Sequence, residues 1–384
     1  MLDLSRQFAE IRGEILDAIE QVCDSQQFIL GPQVESFEEA AAKVCTVPYT
    51  IGCASGTDAL WLALAAAGIG AGDAVITSPF SFFATVSSIL RCGAQPLLAD
   101  IDPRTYNLSA TAVEATLEQH TGTGLRIVAV MPVHLYGQCA DMDAFAEIRR
   151  KHNLLIFEDA AQAFGATWRG TPAGALGDAA AFSFYPTKNL SAMGDAGLVT
   201  TSSSTIDGRC RSLRAHGMRR RYFHDEVGWN SRLDSLQAAV LEVKLRHLPR
   251  WNARRRQLAA RYDELFLQAG LVTAAGTDPA LPAEDGVVLP FVDPRGTHVF
   301  HQYVIRAPRR DQLREQLSSE GIGSEIYYPL PLHQQPALAG LGYRTGDFPV
   351  SETAASEVLA LPIYPELRDD EQKTVVEAIR KFYV

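Results

Sequence analysis

Three short segments carry residue types able to do chemistry together. The first is Leu154-Leu155-Ile156-Phe157-Glu158-Asp159-Ala160-Ala161-Gln162, four apolar residues that end in adjacent carboxylates. Side chains alternate along a strand, so Glu158 and Asp159 point to opposite sides and only one can face a crevice. A carboxylate fixed there could hold a protonated ring nitrogen, or it could simply cap the next helix. The second segment is Ala181-Phe182-Ser183-Phe184-Tyr185-Pro186-Thr187-Lys188-Asn189-Leu190, where an apolar run delivers a lysine into a loop. A lysine kept from bulk water at a rigid strand end loses basicity and can form a Schiff base; an isolated lysine is ordinarily a surface charge. Lysine follows carboxylate by 188 − 159 = 29 positions, room for one further strand between them. The third segment is Gly52-Cys53-Ala54-Ser55-Gly56-Thr57-Asp58-Ala59-Leu60. Free backbone N–H groups at such a helix start, with the Ser55 and Thr57 hydroxyls, suit a phosphate dianion, and the same residues also suit an ordinary helix cap. A Walker loop is excluded because its Gly-Lys pair is missing.

The elements that must position these residues alternate regularly. Short apolar runs at 47–52, 74–77, 96–99, 127–131, 154–157, 179–184 and 198–201 are separated by helical patterns near 57–68, 82–92, 109–119 and 141–152. Continuous apolar strands between helices predict an α/β fold with a mostly parallel seven-stranded sheet covered on both faces. Ligands of such sheets sit beyond the carboxyl ends of the strands, where all three segments fall. Two amphipathic helices come first, marked by Phe8, Ile11, Ile15, Ala18 and Val22, then by Val34, Phe37, Ala41 and Val44 with Pro32 near the first helical position. A long helical stretch from Leu233 to about Leu267, with a kink expected near Pro249, closes the region. Beyond it lie a Pro- and Gly-rich segment at 275–296, a strand at 299–306, and helices near 309–320 and 369–382. The division that follows is a large domain over 1–248 and a smaller α+β domain over 249–384.

Bulk properties agree with an enzyme-sized soluble chain. Its 384 residues, 47% hydrophobic and 21% charged, can build more than one core. A net charge of −10 argues against non-specific binding to nucleic acid or to an anionic membrane. The cluster Arg219-Arg220-Arg221 reads as a solvated face. Six cysteines without a C-x-x-C pair imply reduced thiols in a cytosolic protein, and the nine histidines form no zinc pattern, so no metal is expected. The N-terminus lacks the features of a signal peptide, and charges interrupt every apolar stretch, so a cytoplasmic location is expected.

Taken in order, Ser55-Gly56-Thr57-Asp58-Ala59-Leu60, Glu158-Asp159-Ala160-Ala161-Gln162 and Ser183-Phe184-Tyr185-Pro186-Thr187-Lys188-Asn189 resemble the DegT/StrS sugar aminotransferases. These are pyridoxal-phosphate enzymes of the aspartate-aminotransferase fold type. Asp100-Ile101-Asp102, His134-Leu135-Tyr136-Gly137, Gly228-Trp229-Asn230-Ser231-Arg232 and Tyr328-Pro329-Leu330-Pro331-Leu332-His333 extend the likeness, from about residue 28 to 365. The resemblance implies that Lys188 carries pyridoxal 5'-phosphate as a Schiff base and shuttles the proton. Asp159 would pair with the pyridine nitrogen and Gln162 with the ring hydroxyl. Ser55, Gly56, Thr57 and Ser183 would hold the phosphate, and Phe82 would lie on the ring. Asn230 would reach the phosphate of a neighbouring subunit. Tyr185, Tyr222, Tyr327, Tyr328 and His333 are implied as contacts of the sugar or its diphosphate.

The implied activity is a homodimeric aminotransferase with shared active sites, acting on a nucleotide-diphosphate keto-sugar with glutamate as amino donor. The run Tyr327-Tyr328-Pro329-Leu330-Pro331-Leu332-His333 resembles sugar 3-aminotransferases, which favours carbon 3 over carbon 4. Dehydratase relatives carry histidine where this chain has Lys188. A keto-cyclitol acceptor and a cofactor-binding regulatory protein are the competing readings. One departure stands out: Gly194-Asp195-Ala196-Gly197 has alanine where the family has glycine, and a left-handed backbone at Ala196 would be strained.

Overall fold

The computed structural model describes residues 2–272 and 286–383, so residues 275–285 of the predicted Pro- and Gly-rich segment lie outside the described residues. All seven predicted strands form one sheet. They are β1 (Tyr49–Cys53), β2 (Asp73–Thr77), β3 (Gln95–Leu98), β4 (Arg126–Met131), β5 (Leu155–Asp159), β6 (Ala179–Ser183) and β7 (Gly197–Thr201). Their spatial order is β1-β7-β6-β5-β4-β2-β3. Pairing is parallel from β6 through β3, while β7 runs antiparallel to both of its neighbours. Hence β1 and β6 point the same way, and their carboxyl ends emerge together with that of β5.

Helix starts follow local chemistry. Pro32 occupies the first position of the helix Pro32–Cys45, where its missing N–H costs nothing. Ser55 caps the helix Gly56–Ala66 by accepting from the Asp58 N–H. The long helix Ser235–Gln268 is one element through Pro249. Its inner face changes partners along its length. Ala238, Leu241, Leu245 and Leu248 join the core of the sheet region, whereas Leu258, Ala259, Tyr262, Leu265 and Phe266 join the core of the C-terminal elements. Among the described residues no helix is long and apolar enough to cross a membrane.

Several expectations need correction. The strand expected at 299–306 is only Tyr303–Arg306, because Phe300 has φ 43° and its N–H is taken by His298 Nδ1. The helix expected from residue 82 is Ala84–Arg91, so Phe82 precedes it. A helix at Ser204–Leu213, capped by Ser203, went unread although Ile206, Cys210 and Leu213 recur at helical spacing. So did the helix Pro349–Glu357 and the strand Val358–Leu361 that pairs with Tyr303–Arg306. Ala196 raises no backbone conflict: it has no positive φ, and its carbonyl accepts from the Phe184 N–H at 2.8 Å.

Candidate active site

The two carboxylates of β5 divide as the alternation of a strand requires. Glu158, with 0% exposure, turns toward structure: its oxygens accept from the backbone N–H groups of Gly174, Leu176 and Gly177, each at 2.8 Å. His134 Nδ1 accepts from the Ala140 N–H at 3.1 Å, so its proton is on Nε2 and is donated to Glu158 at 2.9 Å. Asp159 turns to the other side. Its Oδ2 accepts from Thr85 at 2.7 Å and its Oδ1 from the Ala161 N–H at 3.3 Å. Burial raises the Asp159 pKa; those two hydrogen bonds and the Lys188 charge oppose the rise.

Lys188 sits in the loop after β6, its N–H bonded to the Tyr185 carbonyl at 2.8 Å. Part of the residue's surface stays open, yet the amine is closely surrounded by protein. Burial lowers its pKa to about 8, and Asp159 is the one group that pulls the other way. A weakly basic amine facing a buried carboxylate is a poised nucleophile.

The third segment lies beside them. In register, Cys53 pairs with Gly197 and Gly197 with Ser183, one row across β1, β7 and β6. That row brings the start of the helix Gly56–Ala66 against Ser183: a Cβ at Gly56 would fall 2.5 Å from Ser183 Cβ. No acceptor in the described chain takes the N–H groups of Gly56 or Thr57. A helix N-terminus with free donors beside a serine favours a phosphate. The residues therefore fit pyridoxal phosphate: a nucleophilic lysine, a buried acceptor for a ring N–H, and a seat for a dianion. When bound, that group supplies an electron sink for proton removal next to nitrogen.

Other expected residues distribute unevenly. Gln162 Oε1 is held by the Tyr136 N–H at 2.7 Å and its Nε2 donates to the Tyr328 hydroxyl at 3.1 Å, which brings Tyr328 to the same crevice. Phe82 is 59% exposed, with its ring centroid 6.3 Å from that of Tyr328, so it is an open aromatic face and not a core residue. The Tyr327 carbonyl accepts from the Tyr136 hydroxyl. Tyr185 and Tyr222 are exposed, Tyr222 on the turn of a small hairpin formed by Met218–Arg220 and Phe223–His224. His333 is set apart: it is buried against Phe348 and bonded through Nε2 to Glu352 at 2.9 Å.

The turn carrying Asn230 is docked from both flanks. Trp229 packs on Trp61 with ring centroids 3.6 Å apart and planes tilted by 45°, and Ser231 donates to Asp58 at 2.9 Å. Asn230 itself stays exposed. Arg232 Nε is buried without a hydrogen-bond partner among the described residues. The residues unassigned from sequence are Thr85, Ser81 and Glu158. Thr85 was visible three positions after Phe82, but nothing in the sequence said that its hydroxyl faces Asp159. Among the described residues no group of side chains forms a metal cluster.

A lysine in the loop after β6, a buried carboxylate at the end of β5 and a helix start with free N–H donors, all at the carboxyl ends of a mostly parallel sheet, are the arrangement of a pyridoxal-phosphate-dependent transaminase fold. Residues 9–380 match the model of the DegT/DnrJ/EryC1/StrS aminotransferase family, and the chain belongs to that family. One relative, named as a pleiotropic regulatory protein of Geobacillus stearothermophilus, is 48% identical over 100% of this chain and 98% of its own. A second, named as a UDP-N-acetyl-3-dehydro-alpha-D-glucosamine 3-aminotransferase of Acidithiobacillus ferrooxidans, is 41% identical over 99% and 97%. The crystal structure of DesV of S. venezuelae, in complex with a ketimine intermediate, superposes with a TM-score of 0.90 at 41% identity, covering 99% and 97%.

Proposed function

We propose that the chain aminates a keto carbon of a nucleotide-diphosphate sugar, carbon 3 in preference to carbon 4, with glutamate as amino donor. The observation that carries this reading is the pairing of Lys188, in the loop after β6, with buried Asp159 at the end of the adjacent parallel strand β5, the one group that opposes the fall of the lysine's pKa to about 8. In this reading Lys188 holds pyridoxal phosphate and moves the proton, and Asp159 keeps the ring nitrogen protonated. Gln162 bonds the ring hydroxyl, and Phe82 lies on the ring. Ser55, Gly56, Thr57 and Ser183 hold the phosphate, with Asn230 of a neighbouring subunit completing the seat in a homodimer. Tyr185, Tyr222, Tyr327 and Tyr328 border the sugar. His333 stays off that border, since its ring is buried against Phe348 and bonded to Glu352. The relative named as a 3-aminotransferase supports carbon 3.

The test is incubation of the holoenzyme with glutamate and a panel of 3-keto and 4-keto nucleotide sugars, with products identified by mass and NMR. An amino-sugar nucleotide with nitrogen on carbon 3 is expected. Amination of a free keto-cyclitol, with every nucleotide sugar left untouched, would overturn the substrate class. The relative named as a regulatory protein favours a second role, in regulation. Glutamate should bleach the cofactor's visible absorbance if the chain transaminates, and would leave it unchanged in a protein that only binds the cofactor.

A further inference from the structure

Immediately after Lys188, Asn189 is buried and fully committed. Its Nδ2 donates to Asn252 Oδ1 at 2.9 Å and to the Val299 carbonyl at 3.0 Å, and its Oδ1 lies 3.2 Å from His301 Nδ1. Asn252 Nδ2 donates in turn to the Phe164 carbonyl at 3.3 Å. Each bond fixes the orientation of the next. A carbonyl only accepts, so Asn252 must offer its nitrogen to Phe164 and its oxygen to Asn189. Asn189 must then turn its nitrogen toward Asn252 and Val299, which leaves its oxygen for His301. An amide oxygen also only accepts, so His301 carries its proton on Nδ1.

The segment 299–302 touches both walls of the crevice. On one side the Val299 N–H donates to the Gly137 carbonyl at 2.9 Å and the Gln302 N–H to the Tyr136 carbonyl at 3.3 Å. Tyr136 is the residue whose N–H holds Gln162. On the other side, His301 and Val299 hold Asn189, one residue from the lysine. A Cβ at Gly137 would fall 2.8 Å from Val299 Cγ2 and 3.0 Å from the His301 nitrogen, so the segment packs directly on the Gly137 backbone, an approach that only glycine permits.

We propose that His301 is a positioning residue for Lys188: by donating from Nδ1 to Asn189 it fixes the lysine's loop against the long helix and holds the amine in its water-poor setting. The charged and titratable groups around the pair are consistent with a neutral imidazole. Burial takes the His301 pKa well below its usual value, with Lys188, Arg255 and His298 adding to the effect, while Asp159 faces Lys188. A neutral ring keeps one N–H to donate and adds no positive charge beside the lysine. The proposal rests on reading Lys188 as the lysine that holds the cofactor.

The experiment reads Lys188 itself. In cofactor-free full-length protein, the rate of Lys188 acylation by acetic anhydride is followed against pH by peptide mass, together with the thermal midpoint and holoenzyme kinetics. His301→Leu removes the donor; the amide nitrogen of His301→Asn stands in for Nδ1. His301→Leu should move the acylation midpoint upward from about 8, toward that of a solvated lysine, by roughly one pH unit. It should lower kcat by about a hundredfold, the scale of small misplacement of a reacting group, with KM for the sugar nearly unchanged. His301→Asn should restore both, and Asn189→Ala, which cuts the same link from the other end, should repeat the His301→Leu result. An unmoved midpoint in folded His301→Leu or, if that variant does not fold, in folded Asn189→Ala overturns the proposal. So does a folded His301→Asn that behaves as His301→Leu does. Retention of the cofactor's absorbance by Lys188→Ala would sink the reading of Lys188 instead, and the acylation data would stand apart from it.

Discussion

Thr85 Oγ1 donates to Asp159 Oδ2 at 2.7 Å, and Ser81 lies 2.8 Å behind it. An ionised carboxylate only accepts, so the protons run from Ser81 to Thr85 to Asp159. Thr85→Val keeps the shape and removes the donor. Burial then raises the Asp159 pKa with less opposition. The acid limb of the kcat–pH profile should move to higher pH, and turnover at neutral pH should fall about tenfold, in keeping with loss of one charge-assisted hydrogen bond. Thr85→Ser should recover both; steady-state kinetics across pH decides.

Asp159 and Glu158 should fail in opposite ways. Asp159→Asn removes the negative charge that keeps a ring nitrogen protonated, so turnover should fall at least about a hundredfold with the thermal midpoint little changed. Glu158→Gln places an amide nitrogen against donors at Gly174, Leu176, Gly177 or His134. It should cost about 1–3 kcal/mol of stability, the penalty for a mismatched buried polar group. Kinetics and thermal melts on both variants check the contrast. A kinetically silent Asp159→Asn would mean that the wrong carboxylate faces the cofactor.

Capture of pyridoxal phosphate should follow the free amine of Lys188. The amine reacts only unprotonated, and its pKa is about 8. The second-order rate of absorbance change should therefore rise about tenfold per pH unit below that value and level off above it. Lys188→Ala should keep its fold and lose both absorbance and turnover.

Asn230 is exposed while its neighbours Trp229 and Ser231 are docked, so its side chain contributes little to its own fold. In a dimer with a shared phosphate seat, Asn230→Ala should weaken cofactor affinity about tenfold and leave the assembly intact, since one polar contact is small beside a dimer interface. Light scattering and cofactor titration test both halves. A monomer that keeps full activity would rule the shared seat out.

The sheet was legible because its strands are continuous apolar runs between helices, a pattern with few other solutions. The opposition of Glu158 and Asp159 followed from the two-residue period of a strand; the period alone left open which of them faces the crevice, and the family resemblance pointed to Asp159. Elements whose apolar residues were sparse escaped, as in Ser204–Leu213, where three buried apolar residues, Ile206, Cys210 and Leu213, lie among polar ones. The shortening of 299–306 was illegible because one left-handed residue, Phe300, breaks an otherwise strand-like run. Thr85 and His301 were hidden for another reason: their partners lie 74 and 112 positions away, and no local pattern records such a meeting.

The row Cys53–Gly197–Ser183 has a consequence for how the enzyme gives way under heat. The gap between the helix start and Ser183 is spanned by a single intervening strand, so its width is gauged by ladder spacing and not by loop conformation. All three strands of the row are buried, although β1 lies at the edge of the sheet, and buried ladders open late, while exposed features such as the hairpin around Tyr222 open first. On warming, the capacity to retain the anionic end of the cofactor should therefore outlast turnover, and an inactivated population should still be coloured before it is unfolded.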